Sequence, residues 1–241
     1  MQWLASILFT AFLFLWTGVY AIGYCIVCPL LSFPRRFALA RFYSRIMLGT
    51  LKLLCGLGFR VLGGENLPGE PCVALWKHSS AWETFAMMLI CPLQVWVYKR
   101  ELTWIPVFGW SLALMRGIPI NRTSGAGAVN QVVDQGTERL QSGAWVMIFP
   151  EGTRVPIGET RRYGVSGALL ACRSGHKVVP IAHDSGYFWG RRGLLKRRGT
   201  ITVAIGKPID CRGRNPRDVT AEAQEWIEST IEQIRAGIAS T

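Results

Sequence analysis

Residues 3–33 carry no charged side chain and are crowded with Leu, Ile, Phe and Trp. That pattern predicts a helix bathed in an apolar medium. If Pro29 ends it, a helix over residues 3–28 is about 39 Å long, against roughly 30 Å of bilayer core, and a tilt absorbs the excess. A cleaved signal peptide fits less well, because no basic residue precedes the run and the run is longer than an h-region. Over residues 37–57 the pattern changes: Arg41, Arg45 and Lys52 are interleaved with Phe42, Ile46, Met47, Leu51, Leu53 and Leu54. This spacing predicts a basic amphipathic helix, suited to anionic headgroups and equally to the surface of its own domain. Arg35, Arg36, Arg41, Arg45, Lys52 and Arg60 follow the apolar run with no acidic residue before Glu65, so the positive-inside rule puts the rest of the chain on the cytoplasmic side. A full span and a hairpin embedded in one leaflet both fit this pattern.

From about residue 59 onward, short β-rich runs alternate with longer helix-like stretches, the signature of an α/β domain with a mostly parallel sheet flanked by helices. Strands are expected over 59–62, 72–76, 94–98, 118–120, 145–149, 177–181 and 200–205, and helices near 82–89, 125–140, 164–174 and 218–235. Gly56, Gly58, Gly63, Gly64, Pro68, Gly69 and Pro71 punctuate the junction, so the chain divides into residues 1–57, a membrane anchor with its basic helix, and residues 58–241, the α/β domain. No internal repeat or low-complexity linker is present.

Composition narrows the classes. The chain has 241 residues, of which half are apolar and 17% charged, which excludes intrinsic disorder and leaves room for one large core. A formal charge of +12 favours a polyanionic partner, and beside an apolar anchor a membrane suits it better than nucleic acid. The seven cysteines are scattered without the density of a disulfide scaffold, and Cys25 and Cys28 sit inside the apolar run with no second ligand pair. They read as helix packing, with no metal site, in a reducing compartment.

Three motifs carry chemistry. Lys77-His78-Ser79-Ser80-Ala81-Trp82-Glu83 follows a predicted strand and opens a predicted helix. On a continuous helix His78 and Glu83 would point about 140° apart, but with His78 in the loop and Glu83 in the first turn they can meet. The carboxylate would then fix the imidazole tautomer and leave the other nitrogen free as a general base. The rival is a capping box, in which Glu83 folds back on the Ser80 amide. Phe149-Pro150-Glu151-Gly152-Thr153-Arg154 leaves a strand where ligands bind in α/β folds, with Arg154 able to fork onto a phosphate. Gly117-Ile118-Pro119-Ile120-Asn121-Arg122 leads to Ser124, an expected N-cap, and to a helix start that would serve an anion beside Arg122. Lys99 and Arg100 precede an aromatic-rich turn, as either a phosphate clamp or a membrane-interface patch. Arg191, Arg192, Lys196, Arg197 and Arg198 read as a headgroup-contacting loop or a solvated charge run. No dinucleotide fingerprint, Walker sequence or G-x-S-x-G elbow is present.

Taken in order, H-x4-E, I-P-I-N-R, F-P-E-G-T-R and V-V-P-I-A-H resemble the blocks of the 1-acyl-glycerol-3-phosphate acyltransferase family over residues 59–208. The resemblance implies that His78 deprotonates a glycerol hydroxyl, which attacks an acyl thioester of coenzyme A or acyl-carrier protein. It implies that Glu83 orients His78, and that Lys99, Arg122, Glu151, Gly152, Thr153 and Arg154 bind the glycerol phosphate or shape its site, with Pro180 in the last block. It implies lysophosphatidic acid and a lipid bilayer as partners, no metal or other cofactor, no nucleic acid, and a place on the cytoplasmic face of a bacterial-type inner membrane. The family's first block usually ends in Asp, whereas this chain has Glu83, one methylene longer. Backbone amides near Gly152 and in the Ser79-Ser80 turn are the expected oxyanion donors. A related acyltransferase with another lyso-lipid acceptor, and a non-catalytic anionic-lipid binder, are the competing readings.

Overall fold

The computed structural model of the chain describes residues 1–237. Seven strands, β1 Leu57–Leu62, β2 Val73–Trp76, β3 Gln94–Lys99, β4 Ile118–Ile120, β5 Trp145–Ile148, β6 Val178–His183 and β7 Gly199–Ile205, form one sheet in the order β1-β7-β6-β2-β5-β3-β4. All seven expected strands are present, within one or two residues at each end. Neighbours pair in parallel except β6 and β7, which are antiparallel, so the sheet is mostly parallel as expected. The central strands are buried on both faces, and side-chain alternation along β2 sends Val73 and Leu75 to one core and Ala74 and Trp76 to the other.

The first core is closed by α5 Ala126–Gln141, α6 Ser166–Ser174 and α8 Pro216–Arg235, which bring Val132, Leu140, Leu170, Val219 and Ile227 onto it. Local chemistry explains where α8 starts: the Asn215 side chain accepts the Arg217 amide at 2.9 Å, Pro216 opens the first turn and Asp218 lies within it. The start of α5 departs from expectation. Ser124 belongs to a short 3-10 turn and caps nothing, Gly125 stands at the N-cap with φ of 53°, and Asn121 instead accepts the Thr123 amide.

The second core is covered by α1 Gln2–Val27, α2 Phe33–Cys55 and α3 Glu83–Ile90, with Phe9, Met47, Leu51, Trp82 and Met87 against Trp76, Met147, Ile181 and Val203. Pro34 opens α2, and Gly56, at φ of 66°, ends it in the left-handed conformation. Two further helices went unpredicted: α4 Phe108–Leu114 between β3 and β4, and the single turn α7 Ser185–Phe188 after β6.

The apolar helix α1 does not stand away from the body. Near its start, Gln2 Nε2 donates to the carbonyls of Cys55 at 2.9 Å and Lys196 at 2.6 Å, and Ser6 Oγ accepts the Lys196 amide at 2.9 Å. Halfway along, Thr17 and Tyr43 share a hydroxyl hydrogen bond of 2.7 Å. Near its end, Tyr24 donates to the Arg36 carbonyl at 3.0 Å, Cys25 reaches the Val107 carbonyl and Cys28 is fully buried, the packing role expected of those cysteines. The opposite face leaves Leu4, Leu8, Phe14, Leu15, Val19 and Ile26 exposed. This helix, continued by a 3-10 turn through Leu30, is long and apolar enough to cross a membrane.

Within the basic run read as a headgroup-contacting loop or a solvated charge run, Arg191, Arg192, Arg197 and Arg198 are exposed but Lys196 fits neither reading. It is 2% exposed, its ammonium donates to Thr10 Oγ1 and to the Leu194 carbonyl, and it lies 4.9 Å from the ring centre of Trp189 and 5.6 Å from that of Phe9. A lone lysine is buried only with such partners.

Candidate active site

The expected chemistry gathers at the carboxyl ends of the parallel strands. His78 follows β2, Lys99 ends β3, Arg122 follows β4 and the turn 149–154 follows β5. In open α/β sheets this edge is where ligands bind, because loops from neighbouring strands converge there.

The sharpest geometry is His78 with Glu83. The imidazole Nδ1 lies 2.9 Å from Glu83 Oε1, and the same oxygen accepts the Ser79 amide at 3.0 Å and the Ser80 amide at 2.8 Å. Glu83 Oε2 accepts the Ser185 hydroxyl at 3.1 Å. The capping and orienting readings are therefore one arrangement, with the carboxylate bound to the turn amides and to the imidazole together. Glu83 is completely buried. Burial alone would raise its carboxyl, but the hydrogen bond from His78, the two imidazoles and the Ser80 amide outweigh that and hold it below the usual range. An ionised carboxylate only accepts, so a proton of His78 sits on Nδ1, and in the neutral ring the lone pair is then on Nε2, on a side chain that is 13% exposed.

The ring is also fixed in plane. Phe149 stacks on it with centroids 3.9 Å apart and 19° between planes, the His78 amide donates to Glu151 Oε1 at 3.2 Å, and the His78 carbonyl accepts the Val155 amide at 2.8 Å. The extra methylene of Glu83 lets one oxygen reach residues 78, 79 and 80 from the first turn of α3.

In the second motif Pro150 and Glu151 form the corner of a β-turn closed by the Gly152 amide onto the Phe149 carbonyl at 3.0 Å, and Gly152 adopts φ of 68°. This positions the Gly152 carbonyl to accept the Arg122 guanidinium, which joins the second and third motifs. Arg122 is drawn below its ordinary pKa by burial, opposed by Glu101 and assisted by the charge of Arg161. Thr153 is half-buried between Gly152 and Arg154, and the Arg154 Nε is buried with no partner among the described residues. A buried guanidinium N–H without an acceptor costs roughly 1–3 kcal/mol and suits an anionic ligand. Lys99 is not drawn in as tightly; its ammonium is half exposed and pairs with Glu101 at 3.3 Å.

Three of the expected oxyanion donors are already engaged. The Ser79 and Ser80 amides bind Glu83, and the Gly152 amide closes its own turn, so these three are removed from that role.

Three residues with no local signature, Tyr163, Ser185 and Glu228, complete the site around Lys77, Glu151 and His183. Glu151 is buried, with Lys77 Nζ at 3.4 Å, and Lys77 also binds Glu228 of α8 at 2.6 Å, where the Tyr163 hydroxyl adds a bond of 2.9 Å. Burial pushes the Glu151 carboxyl up to about 7, against the pull of Lys77. On the other side His183 Nε2 donates to the Lys77 carbonyl at 2.8 Å and Nδ1 accepts the Ser185 amide at 3.3 Å, the pattern of a neutral ring, and burial lowers its pKa. Glu228 lies 151 residues from Lys77 and Ser185 102 residues from Glu83, and no local spacing signals such contacts. Among the described residues no group of three or more His, Cys, Asp or Glu side chains forms a metal-binding cluster.

The chain is similar to known proteins along most of its length. The family model described as Acyltransferase matches residues 58–184. A 1-acyl-sn-glycerol-3-phosphate acyltransferase of Pseudomonas aeruginosa is 39% identical over 212 residues, spanning 86% of this chain and 82% of that protein. The human 1-acyl-sn-glycerol-3-phosphate acyltransferase beta is 28% identical over 71% of this chain and 63% of its own length. In fold, the crystal structure of the 1-acyl-sn-glycerophosphate acyltransferase PlsC from Thermotoga maritima superposes with a TM-score of 0.78 at 16% identity, covering 98% of this chain and 96% of that one. A family match across more than half the chain, and a relative similar along most of both lengths, leave one assignment: the chain belongs to the acyltransferase family.

Proposed function

We propose that the protein transfers an acyl group from an acyl thioester, acyl-CoA or acyl-carrier protein, to the free sn-2 hydroxyl of 1-acyl-glycerol-3-phosphate, forming phosphatidic acid. The observation that carries this reading is a buried carboxylate fixing His78 with Nε2 open, beside a turn that holds Arg122 and an unpartnered Arg154 Nε. His78 Nε2 takes the hydroxyl proton as the oxygen attacks the thioester carbon, and the proton passes to the departing thiolate as the C–S bond breaks. General-base assistance of this kind contributes about 10²–10⁴-fold. Arg122 and Arg154, with Lys99 at the rim, hold the acceptor phosphate, while Glu151, Gly152 and Thr153 shape the turn that presents them; the gain is proximity as well as charge pairing. The alcohol is the nucleophile, so no acyl-enzyme forms, and the thioester supplies an already activated acyl group without a metal or further cofactor.

Residues 1–57 serve as the anchor and 58–241 as the catalytic unit, on the cytoplasmic face of a bacterial-type inner membrane. The attachment of α1 to the body at its start, middle and end favours a hairpin of α1 and α2 lying in one leaflet, with the basic residues of α2 toward headgroups. The test compares lysophosphatidic acid with its dephosphorylated counterpart in wild type and in Arg154→Ala. The proposal expects turnover only with the phosphorylated acceptor, and a rise in KM for it in the variant. Equal turnover of both acceptors would point to a different lyso-lipid.

A further inference from the structure

Lys99 and Arg100, followed by an aromatic turn, fit either a phosphate clamp or a membrane contact from sequence, and the structure separates the two parts. The chain leaves the carboxyl edge of the sheet at Lys99, makes the 3-10 turn Arg100–Trp104 and returns through α4 to β4, which leads to Arg122. Along this excursion Trp104 is 66% exposed, Ile105 46% and Trp110 59%. The arrangement is built rather than frayed: a Cβ on Gly109 would collide with the Thr103 carbonyl, and Val107 takes φ of 65° in a tight turn closed by the Phe108 amide on the Pro106 carbonyl at 2.7 Å. Positive φ is costly for a β-branched residue, and such strain concentrates in functional segments.

Two features identify the medium these side chains face. The excursion is continuous with the end of α1, where Cys25 bonds the Val107 carbonyl and Ile22, Ile26, Val27 and Leu30 are exposed, so one apolar rim runs from the long apolar helix to Trp104 and Trp110. Cations border that rim: the Arg100 guanidinium lies 5.8 Å from the Trp104 ring centre, and Lys99 and Arg35 are exposed. Indole rings bordered by Lys and Arg are characteristic of a bilayer interface, where the ring enters the acyl boundary and the cation meets lipid phosphate.

We infer that the Arg100–Trp110 excursion is a second membrane-contacting element, which lowers Trp104, Ile105 and Trp110 into the headgroup region of an anionic bilayer and seats the His78 edge of the sheet on the lipid surface. This deepens the proposed function and rests on its membrane reading. A lysolipid then reaches Arg122 and Arg154 with its acyl tail still in the bilayer.

The test uses the full chain reconstituted into phosphatidylcholine vesicles with phosphatidylglycerol, as wild type and as the double variants Trp104→Ser, Trp110→Ser and Trp104→Phe, Trp110→Phe. Activity is measured on lysophosphatidic acid embedded in vesicles and on the same lipid in detergent micelles. Quenching of indole emission by lipids brominated high on the acyl chain is recorded in parallel for wild type and the phenylalanine variant. The inference expects the serine variant to lose about tenfold or more on vesicles while micellar activity stays within about twofold, and the quenched emission to fall in the phenylalanine variant. Equal losses in both assays would place the loop in the active site or the core, and unchanged vesicle activity would remove the contact. Loss of a dimer with vesicle activity intact, or loss confined to an acyl-carrier-protein donor, would assign the patch to a protein partner. Each of these overturns the inference. A wild type inactive in both assays would instead count against the proposed function, while the quenching still reads the contact.

Discussion

Glu83 accepts hydrogen bonds from four groups, and three of them lie within five residues before it in the chain. In the proposed mechanism the fourth, Ser185, is a positioning residue: it touches the carboxylate and not the His78 ring, so its loss would loosen the orientation of His78 without removing the proposed base. Ser185→Ala is expected to lower kcat by about tenfold with KM little changed, one neutral to charge-assisted hydrogen bond being worth roughly 1–3 kcal/mol. Ser185→Thr, which keeps the hydroxyl, should recover most of that loss. A pure fall in stability with kcat per folded molecule unchanged would contradict the role. Glu151 gives a prediction in pH. Its carboxyl stands near 7 in the fold against an ordinary 4.5, so the folded state holds the proton more tightly than the unfolded chain. The resulting penalty is absent below about 4.5, grows as pH rises and is complete above about 7, at up to roughly 3 kcal/mol. Glu151→Gln should therefore gain thermal stability over wild type at pH 8 and lose that advantage by pH 4. Parallel stability curves for the two proteins across this range would show that burial is not what holds the proton.

At the scale of elements, the lysine on the loop before β7 decides how firmly the apolar helix is attached. Lys196 fills the space between Phe9 and Trp189, and its ammonium and backbone hold Thr10, Ser6 and Gln2. Truncation to alanine leaves a cavity and removes the partner of Thr10, so Lys196→Ala should free the first half of α1. Amide hydrogen exchange over residues 2–13 is expected to quicken by about tenfold or more while β2, β5 and β6 stay protected. Unchanged exchange there would mean that α1 is held by packing alone. The strands were legible in sequence because short runs rich in β-branched and aromatic residues, flanked by Gly, Pro or polar residues, suit strands better than helices of that length. By contrast α4 was not, since Phe108–Leu114 has no side-chain cap and follows the strained Val107. The Ser124 cap failed because Gly125 offered the positive φ that the entry into α5 required.

Across the whole molecule, the sequence singles out the candidate site residues but not what surrounds them. The strand-turn-helix after β2 and the turn after β5 have local signatures, so His78, Glu83, Arg122 and Arg154 could be named, and the fold brings them to one edge. The sheet order leaves no such trace. Only once β6 lies beside β2 do Ser185 and His183 reach the loop that holds His78, and only the return of α8 over the first core brings Glu228 to Lys77. Lys196 had the same limitation, since a basic run reads as solvated or lipid-facing until the apolar helix is seen packed on it. These long-range contacts also make the reacting edge rigid, whereas the path for lipid depends on the apolar rim formed by α1 and the Trp104–Trp110 excursion. The measurement that tests the account most directly is transfer of a radiolabelled acyl group to lysophosphatidic acid by membranes containing wild type or His78→Ala, with the protein itself inspected for label after turnover. The account predicts labelled phosphatidic acid from wild type, a loss of at least about 10²-fold in the variant and no covalent label on the chain. Turnover that survives in His78→Ala, or an acyl group trapped on the protein, would contradict it.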